Sequence, residues 1–344
     1  MLIILVVLSD AVGTLMVTRG LAGRWRPTRI FYRGTWRLWR AVGVRIPSPT
    51  AREHFLSIYA PLSLLTLLLI WLAGLATGWA LVYLGQRSQL HGADDFGSLV
   101  YYSGTALLTI GFGDITAQST GLRLLTLLEA LTGLGTIALL ISFLPALYGA
   151  YGRREARLLT LDDPSGQRIQ PTSLIVLGAP DGDVARLYSF FANWELWTAE
   201  LLESHVSFPM LALFRSQHEG QSWITALGVV VDAATMMCAL VPGADVREPY
   251  YLHRRGQRAL TEIARRLHLR PATEAGPMVD RERFDVAYGR VVETGLPVRD
   301  ADEAWELLKG YRSAYASTLQ ALIDFLVAPP GFWGHSAARV ATTE

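Results

Sequence analysis

Two stretches of this chain, Leu56–Leu84 and Leu122–Ala150, are long, apolar and almost free of charge, with Arg123 and Glu129 the exceptions in the second. A helix of about 20 apolar residues spans the hydrocarbon core of a bilayer, so both are long enough to cross it. A third apolar stretch, Leu2–Val17, is shorter and contains Asp10 and Gly13. No basic segment precedes it and no small-x-small cleavage pattern follows, so it reads as a short membrane helix, with a cleaved or interfacial segment as the alternative. Composition agrees. Charged residues make up 18%, hydrophobic residues 51%, and mean hydropathy is +0.28, whereas soluble domains carry about 25% charged residues. The net charge of +1 excludes a protein that binds nucleic acid by bulk charge. A single cysteine, Cys238, excludes an intrachain disulfide framework and a cysteine-based metal cluster.

The basic charge is nearly all arginine, with Lys309 the sole lysine. Residues 19–54 hold nine arginines against one acid, Glu53, while 85–98 hold Arg87 against Asp94 and Asp95. Arg153, Arg154 and Arg157 follow the last apolar stretch. The positive-inside bias puts the amino terminus outside a cell membrane, 85–120 on the external side, and both 19–54 and everything past 152 in the cytoplasm. Arg29, Arg33, Arg37 and Arg40 form one helical stripe opposed by Phe31, Leu38 and Val42. This pattern describes an amphipathic helix on the inner leaflet with anionic lipid as a candidate partner. The arginines lie outside the apolar helices, which argues against a voltage sensor.

Between the two long stretches, Phe96–Leu108 reads as a helix of about three turns, too short to span. It leads directly into Thr109-Ile110-Gly111-Phe112-Gly113-Asp114. This run resembles the signature filter of the potassium-channel superfamily, in the expected place between two membrane helices, and the resemblance covers roughly residues 56–150. It implies a pore-loop fold of outer helix, pore helix, filter and inner helix. Carbonyl oxygens of Thr109, Ile110, Gly111 and Phe112 would replace the water shell of a potassium ion, with Gly113 completing the glycine alternation that such a backbone needs. Asp114 and Glu129 are expected to support the filter; an ionisable group at that depth is a functional candidate by default. Phe112 stands where many relatives have tyrosine, and Tyr101 and Tyr102 stand in a pore helix without the family's tryptophan pair. Gly133, followed by Gly135, falls where relatives have a hinge, although close helix packing explains it equally. Leu134, Ile137, Ile141 and Pro145 share one face as cavity-lining candidates.

One chain supplies one filter strand, so the resemblance implies a homotetramer. The expected function is passive potassium conduction, with no catalytic residue and no cofactor beyond the permeant ion. A non-selective cation channel on the same scaffold is the alternative. A membrane-anchored signalling enzyme is a different class, for which no nucleophile elbow, Walker loop or metalloprotease pair is found.

The expected fold is mainly α, with a membrane helix at 1–18, a basic segment at 19–54, a pore domain at 55–152 and a helical cytoplasmic domain at 153–344. Leu158–Gln170 reads as a linker. Helical periodicity follows at about 183–204, 209–218, 222–241, 257–269, 280–294 and 301–327. No strand followed by Gly-x-Gly-x-x-Gly appears, and the lone run Ile175-Val176-Leu177-Gly178 does not make a nucleotide-binding unit. The stretch 224–241 mimics a spanning helix, but Asp232 and the absence of basic flanks favour a buried one. Glu203, His205, His218 and Glu219 are candidates for a divalent metal. The sequence names no gating ligand.

Overall fold

A computed structural model of the chain describes residues 1–16, 26–161, 170–217, 221–270, 278–330 and 333, with the side chain of Asp181 left aside. The described residues are mainly helical and divide into two compact units, Met1–Gly149 and Ala150–Glu344. The division falls inside one helix, three residues before the expected boundary.

The first unit is built from α1 (Leu2–Leu15), α2 (Pro27–Gly43), α3 (Pro49–Leu84), α4 (Phe96–Leu107) and most of α5 (Thr120–Leu158). Two short strands, β1 (Leu90–His91) and β2 (Thr116–Ala117), pair antiparallel and tie the end of α3 to the start of α5. α3 has 36 residues, about 54 Å at 1.5 Å per residue, so it reaches well beyond a bilayer core. α1 lies antiparallel along α3: Ile4 sits at Gly78, Asp10 at Trp71, and Ala11 with Leu67. The approach is close, since a Cβ on Gly78 would come within 2.8 Å of Ile4. α1 therefore runs beside the apolar part of α3 rather than across it, as a short spanning helix requires. Asp10 is buried within this contact and accepts from the Trp71 indole (3.0 Å), the Thr28 amide (3.1 Å) and the Thr28 hydroxyl (2.6 Å).

α2 carries the expected arginine stripe, with Arg33 and Arg37 exposed and Arg29 and Arg40 half-buried. Its aromatic residues turn inward instead of flanking a lipid surface. Trp36 packs on Tyr59, and Trp39 stacks on Phe55 at 4.5 Å and donates to its carbonyl. A large ring that finds a matching ring on the neighbouring helix gains more by burial than by staying at an interface.

The second unit contains the last two turns of α5, then α6 (Pro171–Gly178), α7 (Ala185–Ser207), α8 (Trp223–Leu240), α9 (Glu248–Arg266), α10 (Arg281–Val292), α11 (Ala301–Ser313) and α12 (Ala316–Leu326). α8 is apolar and long enough to span a membrane, yet 89% of it is buried inside the protein. Contacts with α6, α7, α9, α11 and α12 leave it no face for lipid. The run Ile175–Gly178 lies in a helix that starts at Pro171, where proline fits the first turn, and forms no nucleotide-binding strand. Three helix bounds differ from those read in the sequence. α9 begins at Glu248 rather than 257, again with proline in its first turn. The expected helix 301–327 breaks at Ala314–Tyr315, where Tyr315 turns into the core at 0% exposure. The segment at 209–218 is a short 3-10 helix over Pro209–Leu213, and 162–169 of the expected linker lies outside the described residues.

Candidate ion-conduction site

The short helix α4 starts where Asp95 caps it, accepting from the Ser98 amide at 2.7 Å and the Ser98 hydroxyl at 2.8 Å. It ends at Leu107, and the chain turns sharply. The amides of the next residues fold back onto the helix end: Thr109 donates to Ala106 at 3.0 Å, and Ile110 and Gly111 donate to Thr105 at 2.8 and 3.3 Å. Thr109, Gly111 and Gly113 take positive φ of 55°, 58° and 81°, while Ile110, Phe112 and Asp114 do not. Such alternation can turn successive carbonyls to a common side, whereas in a regular strand they point alternately to opposite edges. Glycine adopts positive φ freely, whereas Thr109 is a non-glycine held there by its bonds to α4.

Among the described residues, no hydrogen bond uses the carbonyl oxygens of Thr109, Ile110, Gly111, Phe112 or Gly113. The strand is exposed on the single chain, with Phe112 at 68%. Irregular backbone at membrane depth persists only where protein covers it or it lines a water-filled path. The strand thus has five acceptors ready for a cation and a side-chain face ready for protein.

Of the residues expected to support this strand, Tyr101 touches it and the others pack behind it on α4 and α5. Tyr101 stacks on Phe112 with ring planes 3° apart. Tyr102 is an ordinary core residue, edge-on to Tyr83 and bonded to Thr126. Gly133 meets the carboxyl end of α4 so closely that a Cβ would lie 2.0 Å from the Leu107 carbonyl oxygen. Close packing against the pore helix accounts for this glycine, while Gly135 has open space. Leu134, Ile141 and Pro145 are exposed and Ile137 half-buried, along one side of α5, which continues unbroken through Pro145. Glu129 is fully buried between Tyr83 and Ser103. Those two partners lie 46 and 26 residues away, and no local pattern marks them.

Of the metal candidates of the second unit, Glu203 and His205 do not come together. Glu203 is exposed and bonded to Ser207, whereas His205, two residues on, faces the opposite side of α7 and is 1% exposed. His218 and Glu219 lie outside the described residues. Among the described residues no group of three His, Cys, Asp or Glu side chains is placed to hold a metal ion.

Residues 66–148 match the family model described as "Ion channel". This part of the chain belongs to the pore-loop ion-channel family. The family match bears out the resemblance read from Thr109–Asp114, and it takes in α4, the strand and the first three quarters of α5. The chain is also 25% identical over 257 residues to the uncharacterized membrane protein YdjJ of Bacillus subtilis (strain 168), a match covering 70% of each protein. That alignment is longer than the whole first unit, so the likeness extends past the ion-channel domain. No solved structure matches the chain. The protein is a membrane protein with an ion-channel domain match at residues 66–148 and a helical second unit.

Proposed function

We propose that this chain is one subunit of a homotetrameric potassium channel. The observation that carries the reading is the row of five uncommitted carbonyls, Thr109 to Gly113, on a strand with alternating positive φ. A potassium ion sheds its hydration shell where rings of such carbonyls replace it, and four copies around an axis supply the rings. The exposed face of the strand is the face that neighbouring copies cover. Function is passive flux, so no side chain acts as a catalyst and no cofactor takes part.

The arginine distribution supports a plasma-membrane protein with its amino terminus outside and its second unit in the cytoplasm. The antiparallel pairing of α1 with α3 is compatible with that topology. Arg29, Arg33, Arg37 and Arg40 lie on one side of α2, with the exposed Leu38 and Val42 on the other. This combination suits contact with anionic lipid headgroups.

Ion flux into proteoliposomes tests the proposal. Potassium and rubidium should enter and sodium should be excluded. Gly111→Ala should abolish flux while the protein still assembles, because an L-residue resists the φ of 58° at that position. Equal sodium entry would favour a non-selective cation channel on the same scaffold.

A further inference from the structure

Behind the strand, three helices converge on one buried acid. The Tyr83 hydroxyl of α3 donates to Glu129 Oε2 at 2.6 Å, and Ser103 of α4 is hydrogen-bonded to Glu129 Oε1. The same Ser103 hydroxyl lies 2.9 Å from the carbonyl oxygen of Ala76 on α3. A serine hydroxyl has one hydrogen, and a carbonyl has none to give. With the Ser103 hydrogen given to Ala76, the hydrogen between Ser103 and Glu129 comes from the carboxyl group.

The surrounding hydroxyls are consistent with this assignment. Thr126 spends its hydrogen on Leu122 at 3.0 Å, so Tyr102 donates to Thr126 at 2.7 Å. That leaves the Tyr83 hydrogen for Glu129. The titratable groups facing Glu129 are Tyr83 from α3 and Tyr102 from α4, while Asp10 of α1 is engaged further along α3 by Trp71. No cationic side chain among the described residues pairs with Glu129. A lone buried carboxylate is far more costly than a neutral acid with both oxygens bonded.

We propose that Glu129 is a protonated carboxylic acid at neutral pH that donates to Ser103 and clamps α4 between α3 and α5. It is a positioning residue for the conduction strand. Ser103 lies two residues before Thr105, whose carbonyl receives the Ile110 and Gly111 amides. The clamp thus fixes the helix end from which the strand hangs. The positional part rests on the channel reading above; the protonation does not.

Infrared difference spectra of the full-length protein in lipid, wild type minus Glu129→Gln, test the protonation without any ion flow. The carbonyl stretch of a protonated carboxylic acid should appear in the wild type at neutral pH and vanish in the variant. Carboxylate bands in its place would overturn the proposal whether or not the protein conducts. Glutamine reproduces the neutral acid, its carbonyl accepting from Tyr83 and its amide donating to Ser103, so this variant should keep the wild-type potassium-to-sodium permeability ratio. Ser103→Ala removes the acceptor and should lower that ratio about tenfold, the factor one buried hydrogen bond is worth. A Glu129→Gln channel that loses selectivity as severely as Ser103→Ala would refute the clamp.

Discussion

The two units bury charge in opposite ways. In the second unit, acids meet cations. Asp232 of α8 is paired with Arg312 of α11 and accepts from the Tyr315 hydroxyl at 2.5 Å. Arg154 is paired with Glu155 and donates to the Leu211 and Phe214 carbonyls at 3.0 and 2.7 Å. In the first unit, the buried acids Asp10 and Glu129 meet indole, amide and hydroxyl groups and no cation among the described residues. These two carboxyl groups are held by hydrogen bonds to neutral partners alone. An ion pair keeps its charge, so each member depends on the other.

The sharpest way to break this contrast is to remove one member of a pair. Arg312→Met should destabilise the second unit by about 3–5 kcal/mol, because Asp232 stays buried and unpaired. Adding Asp232→Leu should recover most of that loss. Thermal unfolding of the full chain checks both. A single variant as stable as wild type would mean the pair contributes nothing.

In the first unit the effects should be smaller and should follow the acceptor oxygen rather than the charge. Asp10→Ala strands the Trp71 and Thr28 donors and should cost about 1–3 kcal/mol, while Asp10→Asn keeps an acceptor and should cost about 1 kcal/mol or less. If Asn were as damaging as Ala, charge would be the essential feature of Asp10.

Histidines sharpen the contrast through pH. Burial, with Arg154 nearby as a lesser cause, pushes His205 from 6.5 down to about 3. Burial likewise pushes His253 down to about 4. Both are neutral in the folded chain, so above pH 6.5 they contribute no pH dependence. As pH falls from 6.5 towards 4, the unfolded chain binds protons that the folded chain refuses, and stability drops by about 1 kcal/mol per histidine for each unit. His205→Phe should flatten this acid slope in the unfolding temperature. An unchanged slope would show that His205 does not titrate as an isolated buried group.

What could be read from the sequence follows from how far each signal travels along the chain. The Thr109–Asp114 run, the short helix before it and the two long apolar helices are local patterns; the short helix ends within a residue of expectation, while the long helices run beyond their apolar stretches, α3 from Pro49 and α5 to Leu158. Asp232 stood out as an acid in an apolar helix, but its partner Arg312 lies 80 residues on and carries no mark of its own. The break at Tyr315 has no glycine or proline to announce it; a tyrosine seeking the buried Asp232 ends the helix. Glu203 and His205 part for a geometric reason, since residues two apart on a helix point to different faces. The Trp36 and Trp39 contacts show the same limit: periodicity gave the helix, and the rings on α3 decided which side they take.

The central claim, that the Thr109–Gly113 strand makes a potassium-selective pore, is tested most directly by the reversal potential of the purified protein in a planar bilayer with potassium on one side and sodium on the other. The account predicts a large reversal potential of the sign set by potassium leaving its own side, abolished together with the current in Gly111→Ala. A reversal potential at zero, with sodium and potassium carrying equal current through the wild-type protein, would contradict it.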